Sequence, residues 1–422
     1  MLKTIIRKEH KNQWEKRAPL TPEAVKTLTE RGLEIELEPC EIRIFSDEEY
    51  QQAGAKYPAQ PEQAEFVLGI KEPPVDSIQH KQVHLAFSHT IKGQDYNMPL
   101  LQKFIDEQAT LLDYEPIVDP ATGQRTIAFG RYAGIAGAVD SFHVLGQKLA
   151  QEGLATPLSH LKMTHHYGTV EQLKANLGEY DLQQGEPIRA LVVGTGKVGK
   201  GSIEVCQWLG LPQVSAEDFL AGNLPKGSFF AVLSSRHINK RKDGAGSYRE
   251  FDMNDFVEKG IEAYESSFDR VLGQFNILLQ TPYWEEKYPK HLDKARMIAH
   301  KDKLPLVVGD ISCDINGSLE CTTKASDIDN PAFTYNVDTD SSKDGISWDG
   351  ITVMSIDNLP CELPIDASND FSAALKTYAP QIMAMDLSKS FEECGLPEDL
   401  KEAVITYKGE LTPKYQYLAE FL

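Results

Sequence analysis

Short apolar runs alternate with helix-like stretches along the first third of the chain. The runs are continuous and bounded by polar residues, which is the pattern of buried strands. Because such strands alternate with helical segments, this region predicts an α/β domain. The predicted strands cover residues 2–7, 33–38, 66–71, 83–88 and 110–114.

Two helices are predicted in the same part of the chain. The first starts at Pro22, because Thr21 is a good N-cap and proline suits the first turn. Gly32 fits the position that follows the end of this helix. The second covers residues 130–150, whose many small side chains permit close packing. We expect it to connect two domains; a glycine-rich core helix is the other interpretation, and the two are compatible.

A second α/β pattern begins with the apolar run at 190–193, which ends in a glycine-rich turn. Gly194, Gly196 and Gly199 are spaced as GxGxxG, and residues 202–209 continue as a helix. This strand–turn–helix setting favours dinucleotide binding over an ordinary glycine turn. The first glycine of such a motif permits the turn, the second lets the pyrophosphate approach the backbone, and the third brings helix and strand close together.

The N-terminus of a helix in this setting offers N–H groups and a positive dipole end to phosphates. The predicted cofactor site therefore includes the intervening residues Thr195, Lys197 and Val198. The whole pattern predicts two Rossmann-like α/β domains, each a doubly wound parallel sheet, separated by a cleft. We place a discontinuous substrate domain at 1–137 plus 355–422 and the dinucleotide-binding domain at 138–354.

The charge balance limits the partners that this chain can have. It contains 43 lysines and arginines against 63 aspartates and glutamates, a formal net charge of −20 over 422 residues. Long nucleic acids and anionic membrane surfaces need basic patches, so the balance argues against both. An anionic substrate must be captured by local cations, because the overall field repels it.

Cysteine usage and hydropathy predict a reduced, soluble protein. The six cysteines form no CxxC pair and no histidine-paired spacing, so we expect free thiols rather than a metal site or disulfides. The first residues are too charged for a secretory signal, and no apolar stretch is long enough for a transmembrane helix. We therefore predict a cytoplasmic protein.

Distinctive stretches of sequence follow one another along nearly the whole chain. They are EKRAPLTP (15–22), GIKEPP (69–74), AFSHTIKGQDYNMPLL (86–101), LLDYE (111–115), AFGRYAGIAG (128–137), GTGKVGKG (194–201), LSSRH (233–237), GDISCDINGSLE (309–320) and SIDNLPCELPIDAS (355–368). In this order they resemble lysine–2-oxoglutarate reductase, the saccharopine-forming N-terminal half of the bifunctional aminoadipic semialdehyde synthase of animals and plants. The chain resembles fungal lysine-forming saccharopine dehydrogenase and alanine dehydrogenase more distantly.

The resemblance implies a reaction. Such an enzyme condenses L-lysine with 2-oxoglutarate and reduces the imine with a nicotinamide cofactor to saccharopine, which opens lysine degradation. The ε-amine must lose a proton and the carbinolamine must lose water, so acid–base groups with pKa values near the operating pH are needed. A lysine in an apolar site and a histidine are common solutions.

Lys71 and His89 match the acid–base pair of this family. Each follows a predicted strand, and open α/β sheets bind ligands at the carboxyl ends of their strands. An isolated lysine is more often a solvated charge and an isolated histidine a structural residue, but the parallel placement and the family match favour catalysis. Glu72 and Glu115 match carboxylates that adjust the pKa values of this pair, and surface carboxylates are the alternative interpretation.

Three further residues are predicted to bind substrate. Arg17 matches the arginine that binds a substrate carboxylate, for which a planar guanidinium is suited. Because the substrates carry three carboxylates, more groups are needed. His143 is a candidate and lies where fungal relatives carry an arginine, a departure that leaves the binding of the second substrate open. Arg131 is another candidate.

The choice between NADP(H) and NAD(H) depends on residues that follow the second strand of the dinucleotide domain. NAD enzymes carry an acidic residue there that binds the ribose 2′-hydroxyl. We expect that strand at 211–215, and no carboxylate lies at the expected position after it. Glu217 and Asp218 come slightly later and could begin a helix, and NAD(H) is the alternative if either reaches the ribose. After the next strand, at 229–233, a basic cluster suits a 2′-phosphate, with a solvated loop as the alternative. The cluster contains Ser235, Arg236, His237, Lys240 and Arg241, and we favour NADP(H).

Polar residues after two later strands complete the predicted cofactor site. Asp310 and Ser312 follow the apolar run at 304–308, so we expect them to face the cofactor or the substrate, although ordinary turn residues would look similar. Asp357 begins the final segment of the chain. We predict that it either contacts the cofactor or locks the domains.

Three functions are compatible with these observations. The first is NADPH-dependent formation of saccharopine in a cleft that closes to exclude water. The second is an NAD-linked, lysine-forming saccharopine dehydrogenase or an alanine-dehydrogenase-like enzyme. The third is a non-catalytic nucleotide sensor, which the presence of Arg17, Lys71 and His89 disfavours. We expect L-lysine, 2-oxoglutarate and saccharopine as small-molecule partners, and a homodimer is compatible with such folds.

Overall fold

Two compact units make up the computed structural model, which describes residues 1–58, 60–119, 123 and 125–422. Unit 1 consists of Met1–Phe129 and Pro364–Leu422, and unit 2 consists of Gly130–Leu363. The boundaries therefore fall at Phe129 and Pro364 instead of the predicted 137 and 355. The reason is that the entire long helix from Gly130 and the turn before Pro364 pack within unit 2.

The strands of the described residues are numbered in chain order. Those of unit 1 are β1 (Thr4–Ile6), β2 (Ile35–Leu37), β3 (Phe66–Leu68), β4 (Val83–Ala86) and β5 (Thr110–Asp113), with β16 (Val404–Tyr407) and β17 (Glu410–Leu411) near the C-terminus. Those of unit 2 are β6 (Arg189–Val193), β7 (Gln213–Val214), β8 (Phe229–Leu233), β9 (Asn239–Arg241), β10 (Tyr264–Ser266), β11 (Ile277–Gln280), β12 (Val307–Asp310), β13 (Ala332–Asn336), β14 (Ser341–Asp344) and β15 (Ile351–Met354).

The helices are numbered in the same way. Unit 1 contains α1 (Pro22–Thr29), α2 (Asp47–Gln52), α3 (Met98–Asp106), α11 (Pro364–Met383) and α12 (Glu398–Lys401). Unit 2 contains α4 (Gly130–Gln151), α5 (Val170–Leu177), α6 (Lys197–Trp208), α7 (Ala216–Ala221), α8 (Ser235–Ile238), α9 (Met253–Ala263) and α10 (Lys294–Ala299). No helix in these described residues is long and apolar enough to cross a membrane.

A seven-stranded sheet forms the centre of unit 1, in the order β17-β16-β5-β4-β3-β1-β2. β1 to β5 run parallel, and β16 pairs antiparallel with β5. The carboxyl ends of the parallel strands therefore lie at one edge, where α/β sheets bind ligands. α1 contacts α11 beside this sheet, and both contribute buried apolar side chains to its core, among them Leu28 and Leu375.

An eight-stranded sheet forms the centre of unit 2, in the order β14-β13-β15-β12-β11-β6-β8-β7. The strands from β15 to β7 run parallel, whereas β13 and β14 are antiparallel. These two sheets confirm the predicted parallel α/β fold class. The order differs from the order along the chain, since β8 and not β7 pairs with β6. The two-residue β7 therefore lies at the sheet edge. β9 and β10 pair antiparallel in a separate two-stranded sheet.

The long helix predicted from the sequence is α4, and it packs against α6 with little space between the backbones. A Cβ atom placed on Gly134 would lie 1.9 Å from the Val198 carbonyl oxygen, and one on Gly201 would lie 2.2 Å from the Arg131 carbonyl oxygen. Only glycine fits at such distances. α4 is thus a core helix of unit 2 that begins where the chain leaves unit 1.

A buried amine fixes the second half of α4. Lys148 is fully buried, and its Nζ donates to the carbonyl oxygens of Leu306 and Gly350 at 3.0 and 2.8 Å and to Thr352 Oγ1 at 3.0 Å. These acceptors lie at the amino ends of β12 and β15. Burial lowers the pKa of Lys148 to about 8, because the charged form loses its hydration.

Candidate functional site

Lys71 and His89 follow neighbouring strands at the carboxyl edge of the unit 1 sheet. Pairing continues beyond the ends of β3 and β4, because the Phe87 N–H donates to the Ile70 carbonyl at 2.8 Å. The two segments that carry Lys71 and His89 are therefore held side by side, as the strand-end argument requires.

His89 is hydrogen-bonded to Glu72. Its Nδ1 lies 2.5 Å from Glu72 Oε1, and Asn97 Nδ2 donates to the His89 carbonyl at 3.0 Å. Burial alone would raise the pKa of Glu72, but the hydrogen bond and charge of His89 outweigh burial and lower that pKa to about 2. Glu72 is thus an ionised acceptor that keeps the proton of the neutral ring on Nδ1. The lone pair of that ring is then on Nε2, which can accept a proton.

The backbone of His89 is strained. Its φ is 52°, in the left-handed region that side chains other than glycine rarely adopt. Such a conformation costs about 1–3 kcal/mol, persists only where surrounding contacts enforce it, and is concentrated at functional sites.

Two charged residues after β1 hold the backbone of Lys71, and the sequence analysis missed them. Glu9 accepts the N–H groups of Ile70 and Lys71 at 2.7 and 3.1 Å, while Arg7 donates to the Lys71 carbonyl and pairs with Glu9 at 3.2 Å. Both are buried, and burial raises the pKa of Glu9 in spite of Arg7. Because β1 pairs with β3 and ends at the same edge of the sheet, the position of Arg7 and Glu9 after β1 could have placed them near Lys71.

Asp113, at the end of β5, positions the residue before His89. Its carboxylate accepts the N–H and the Oγ–H of Ser88 at 2.8 and 2.6 Å. Burial raises the pKa of Asp113. Glu115 follows on the same edge and pairs with Arg125 Nη1 at 3.1 Å. Adjustment of the Lys71–His89 pair by Glu115 therefore stays a prediction.

Arg17 is buried against a carboxylate of its own chain. Its Nε and Nη2 donate to Glu15 at 2.7 and 2.5 Å, and its guanidinium carbon lies 4.2 Å from the centre of the Phe129 ring. The side chain of Arg17 is 1% exposed. Glu15 lies beside Arg17 in the EKR stretch, but the sequence did not predict that the two would pair. A substrate carboxylate can use the fork that Glu15 occupies only if Glu15 moves.

The glycine-rich turn of unit 2 has the geometry predicted for it. Gly194 has φ of 105°, in the left-handed half of backbone space, and a Cβ on Gly199 would lie 2.2 Å from the Gly194 carbonyl oxygen. Gly196 is the N-cap of α6, and a Cβ placed there meets no described atom within 4 Å. No side chain in the described part of the chain caps α6. Thr195, Lys197 and Val198 complete this turn, whose first N–H groups face no capping side chain.

Two alanine substitutions separate packing from ligand binding at this turn. Gly199→Ala is expected to lower the free energy of unfolding by about 1–3 kcal/mol, because its Cβ would overlap the Gly194 carbonyl. Gly196→Ala has open space and should leave the melting temperature unchanged. It should nevertheless weaken NADPH binding by roughly tenfold, because the pyrophosphate approaches the backbone there. Calorimetry of both variants checks this, and wild-type affinity in Gly196→Ala would contradict it.

The residues after β8 differ in the hydrogen bonds and ion pairs that they form. Arg236 is exposed and makes no hydrogen bond or ion pair with the described residues. Ser235 is partly buried, and His237 Nδ1 accepts the Ser234 N–H at 3.1 Å. Lys240 and Arg241 are paired with acidic residues, at 3.1 Å to Glu265 and 2.7 Å to Asp255 respectively. Two cations of the predicted cluster, Lys240 and Arg241, are thus already paired with carboxylates.

The acidic alternative lies after β7, at the sheet edge. Glu217 pairs with Arg249 at 2.6 Å, and both side chains are more than half exposed. Asp218 accepts a hydrogen bond from Ser215 Oγ at 2.7 Å at the start of α7. The order along the chain predicts β7 as the second strand, but β8 occupies the place beside β6.

Asp310 organises a turn after β12. It is buried, accepts Ser312 Oγ and Thr322 Oγ1, each at 2.7 Å, and accepts the Cys313 N–H at 3.1 Å. Burial raises the pKa of Asp310, and these hydrogen bonds oppose that shift. Asp357 is exposed and lies near Cys313, where its charge, after burial, helps to raise the thiol pKa to about 12. Contacts of these residues with a cofactor stay predictions.

The two α4 residues proposed for substrate binding are held by other parts of unit 2. Arg131 makes a bidentate pair with Glu204 of α6, with distances of 2.8 and 2.6 Å. His143 Nδ1 lies 2.6 Å from the Leu161 carbonyl oxygen, to which it donates. Their described contacts therefore connect α4 to its neighbours within the unit.

A buried carboxyl pair on unit 2 escaped the sequence analysis. Asp140 of α4 and Glu362 are both nearly inaccessible, and Asp140 Oδ2 and Glu362 Oε1 face no N–H or O–H donor among the described residues. The two groups hydrogen-bond to each other, which requires one proton between them. Thr164 donates to Asp140 at 2.8 and 2.9 Å, and His165 Nδ1 lies 3.3 Å from Glu362. Burial raises the pKa of Glu362 to about 7.

Comparison with known proteins identifies relatives along the whole chain. Residues 5–136 match the family model "Alanine dehydrogenase/PNT, N-terminal domain". The mitochondrial alpha-aminoadipic semialdehyde synthase of Mus musculus is 32% identical over 98% of this chain and 47% of its own length. The synthase of Arabidopsis thaliana is 33% identical over 96% of this chain and 40% of its own length. The chain thus spans about half the length of these relatives or less.

A shorter relative and two solved structures complete the comparison. The saccharopine dehydrogenase [NAD(+), L-lysine-forming] of Emericella nidulans is 26% identical over 92% of this chain and 93% of its own length. An L-alanine dehydrogenase structure superposes with a TM-score of 0.62, at 18% identity, over 99% of this chain and all of its own. A transhydrogenase from Sinorhizobium meliloti gives a TM-score of 0.54 at 13% identity, over 97% of this chain and 99% of its own. These two structures show the fold alone. The chain is therefore similar over nearly its whole length to about half or less of each of these synthases, and its residues 5–136 match the alanine dehydrogenase/PNT N-terminal domain model.

Proposed function

We propose that this chain condenses L-lysine with 2-oxoglutarate and reduces the resulting imine with NADPH to saccharopine, a step of lysine degradation. The observation that carries the proposal is the His89–Glu72 pair, placed beside Lys71 at the carboxyl edge of the unit 1 sheet. The similarity to the aminoadipic semialdehyde synthases supports the choice of substrates.

The glycine-rich turn fits a dinucleotide. The open space at Gly196 leaves room for a pyrophosphate. No side chain of the described residues caps the start of α6, so its first N–H groups can bind the phosphates. Gly194, Thr195, Gly196, Lys197, Val198 and Gly199 would hold this part of the cofactor. When bound, NADPH supplies the hydride.

His89 and Lys71 of unit 1 transfer the protons. His89 Nε2 accepts a proton from the ε-ammonium group of lysine, because Glu72 engages Nδ1 and stabilises the imidazolium that forms. Lys71 then donates a proton to the carbinolamine oxygen as water leaves. Glu9 and Arg7 position Lys71 through its main chain.

The sheet order of unit 2 supports NADP(H) over NAD(H). The strand beside the glycine-bearing strand carries the ribose-recognition residue in dinucleotide folds. Here that strand is β8, and it is followed by Ser235, Arg236 and His237, none of them a carboxylate. The carboxylate of Glu217 follows the edge strand β7 and pairs with Arg249.

The partners of this function are small molecules, with a homodimer as a further prediction. The cytoplasm is our prediction for its compartment, whereas the mouse relative is named as mitochondrial. NAD-linked, lysine-forming saccharopine dehydrogenase is the second candidate, because the fungal relative of that name matches over nearly its full length.

The test is the absorbance of reduced nicotinamide with the purified protein, L-lysine and 2-oxoglutarate. We expect oxidation of NADPH that requires both substrates and is much slower with NADH. Reduction of NAD with saccharopine alone would establish the second candidate instead. Turnover with pyruvate and ammonia would assign an alanine-dehydrogenase-like activity, and absence of all turnover would contradict an enzymatic role.

A further inference from the structure

Two side chains from other elements hold the main chain on either side of His89. Asp113, at the end of β5, accepts the N–H and the Oγ–H of Ser88 at 2.8 and 2.6 Å. Asn97, the residue before α3, donates from Nδ2 to the His89 carbonyl oxygen at 3.0 Å. The backbone is therefore fixed both before and after the His89 Cα atom.

These contacts are shielded from water. Ser88 and Asp113 are fully buried, and Asn97 is 6% exposed. Both oxygens of Asp113 are used, because Oδ1 also accepts the Glu115 N–H at 2.8 Å. Thr90 extends the network, with its Oγ1 2.8 Å from Ser88 Oγ. Buried hydrogen bonds are unfavourable to break, since the separated groups find no water to replace the lost partner.

The two contacts maintain a backbone conformation that histidine rarely adopts. The φ of His89 is 52°, and an ordinary β or right-handed conformation is a rotation of roughly 100° or more away. Because φ is the rotation about the N–Cα bond, such a change would move Cβ and the imidazole with it. Nδ1 would then leave Glu72 Oε1, which lies 2.5 Å away.

The packing of the ring gives it less support than the main chain receives. Its plane lies at 16° to the ring of Phe87, with 6.3 Å between the ring centres. The side chain of His89 is 32% exposed. A ring packed this loosely has room to turn, so its position depends on the conformation of the backbone that carries it.

We propose that Asn97 and Asp113 are positioning residues for proton transfer by His89. They hold its backbone in the left-handed conformation, which keeps Nδ1 on Glu72 and leaves the Nε2 lone pair available to accept the proton of the substrate amine. The proton transfer rests on the proposed function. The tautomer of the ring does not, because it is a property of the free protein.

The test determines the tautomer of the His89 ring by ¹⁵N NMR of the full chain with labelled histidine, at a pH where the ring is neutral. His89→Asn identifies the signal. We expect the wild-type ring to carry its proton on Nδ1, because Glu72 accepts it. Asn97→Ala should shift the ring toward the Nε2–H form that imidazole prefers in water. It should also lower kcat for NADPH oxidation by roughly ten- to a hundredfold, with little change in KM.

Asp113→Asn tests the other contact with almost no change in shape. An amide has one oxygen, so it cannot accept from Ser88 and Glu115 as the carboxylate does. We expect the same change of tautomer and a similar loss of kcat. Gln94→Ala is the matched control: it removes an exposed carboxamide from the turn that holds Asn97, and Gln94 Oε1 accepts only the Tyr96 hydroxyl among the described contacts. Both readouts should stay at wild-type values.

The outcomes separate the positioning role from the proposed reaction. An unchanged tautomer in Asn97→Ala and Asp113→Asn, with wild-type circular dichroism, would overturn the positioning role. A wild-type ring protonated on Nε2 would overturn it as well, and so would an equal shift in Gln94→Ala. If the tautomer changed as expected but the wild type oxidised no NADPH, the positioning of His89 would stand and the proposed function would fail.

Discussion

Replacing Lys71 by methionine is expected to lower kcat for the lysine- and 2-oxoglutarate-dependent oxidation of NADPH by roughly a thousandfold. Methionine has nearly the same length but cannot donate or accept the proton. NADPH affinity should not change, because the turn that fits the pyrophosphate lies in unit 2. Folding should also persist, since the hydrogen bonds from Glu9 and Arg7 hold the main chain of Lys71.

The measurement is steady-state NADPH oxidation, together with cofactor titration of the same preparation. Lys26→Met is the matched control, because Lys26 is an exposed lysine on α1 of the same unit. It should keep wild-type turnover. If Lys71→Met retained a tenth of the wild-type kcat or more, Lys71 would not be a catalytic acid.

A second large effect is expected in the pH dependence of stability. The folded state raises the pKa of Glu362 from 4.5 to about 7, so the protonated Asp140–Glu362 pair stabilises the fold fully below pH 4.5. That contribution is lost as the pH rises through 7, because the folded protein must then give up a proton that it binds more tightly than the unfolded chain does. The loss is on the order of 3 kcal/mol.

Glu362→Gln should remove this contribution, because a glutamine does not titrate. Its amide can donate to Asp140 while its oxygen still accepts the His165 N–H. Chemical unfolding at a series of pH values between 5 and 8 should show the wild type losing stability relative to Glu362→Gln. Glu258→Gln, at an exposed position on α9, should follow the wild type. Parallel curves for wild type and Glu362→Gln would mean that the Glu362 carboxyl binds no extra proton in the folded state.

The features that the sequence predicted correctly depend on local patterns. Apolar runs bounded by polar residues predicted β1 to β8 and β12, because burial on both faces demands such runs. Thr21 caps α1 as expected, with Pro22 in its first turn. Lys71 and His89 could be placed at one edge because residues that follow parallel strands meet there.

The features that it missed depend on contacts between distant segments. The order β6-β8-β7 is fixed by pairing, and counting strands along the chain pointed to β7 as the ribose-binding strand. Asp140 and Glu362 lie far apart in sequence, so neither looked different from an ordinary acidic residue. Arg17 was assigned to a substrate although its guanidinium is held by Glu15, a contact that spacing alone does not reveal.

The anchoring of Lys148 has a consequence for chemical labelling. Acylating reagents attack neutral amines, and a lysine whose pKa is about 8 should be among the most reactive in the chain. Yet its Nζ is enclosed by acceptors on β12, β15 and the Gly350 turn, where no reagent can enter. Modification of Lys148 therefore reports the opening of unit 2 itself.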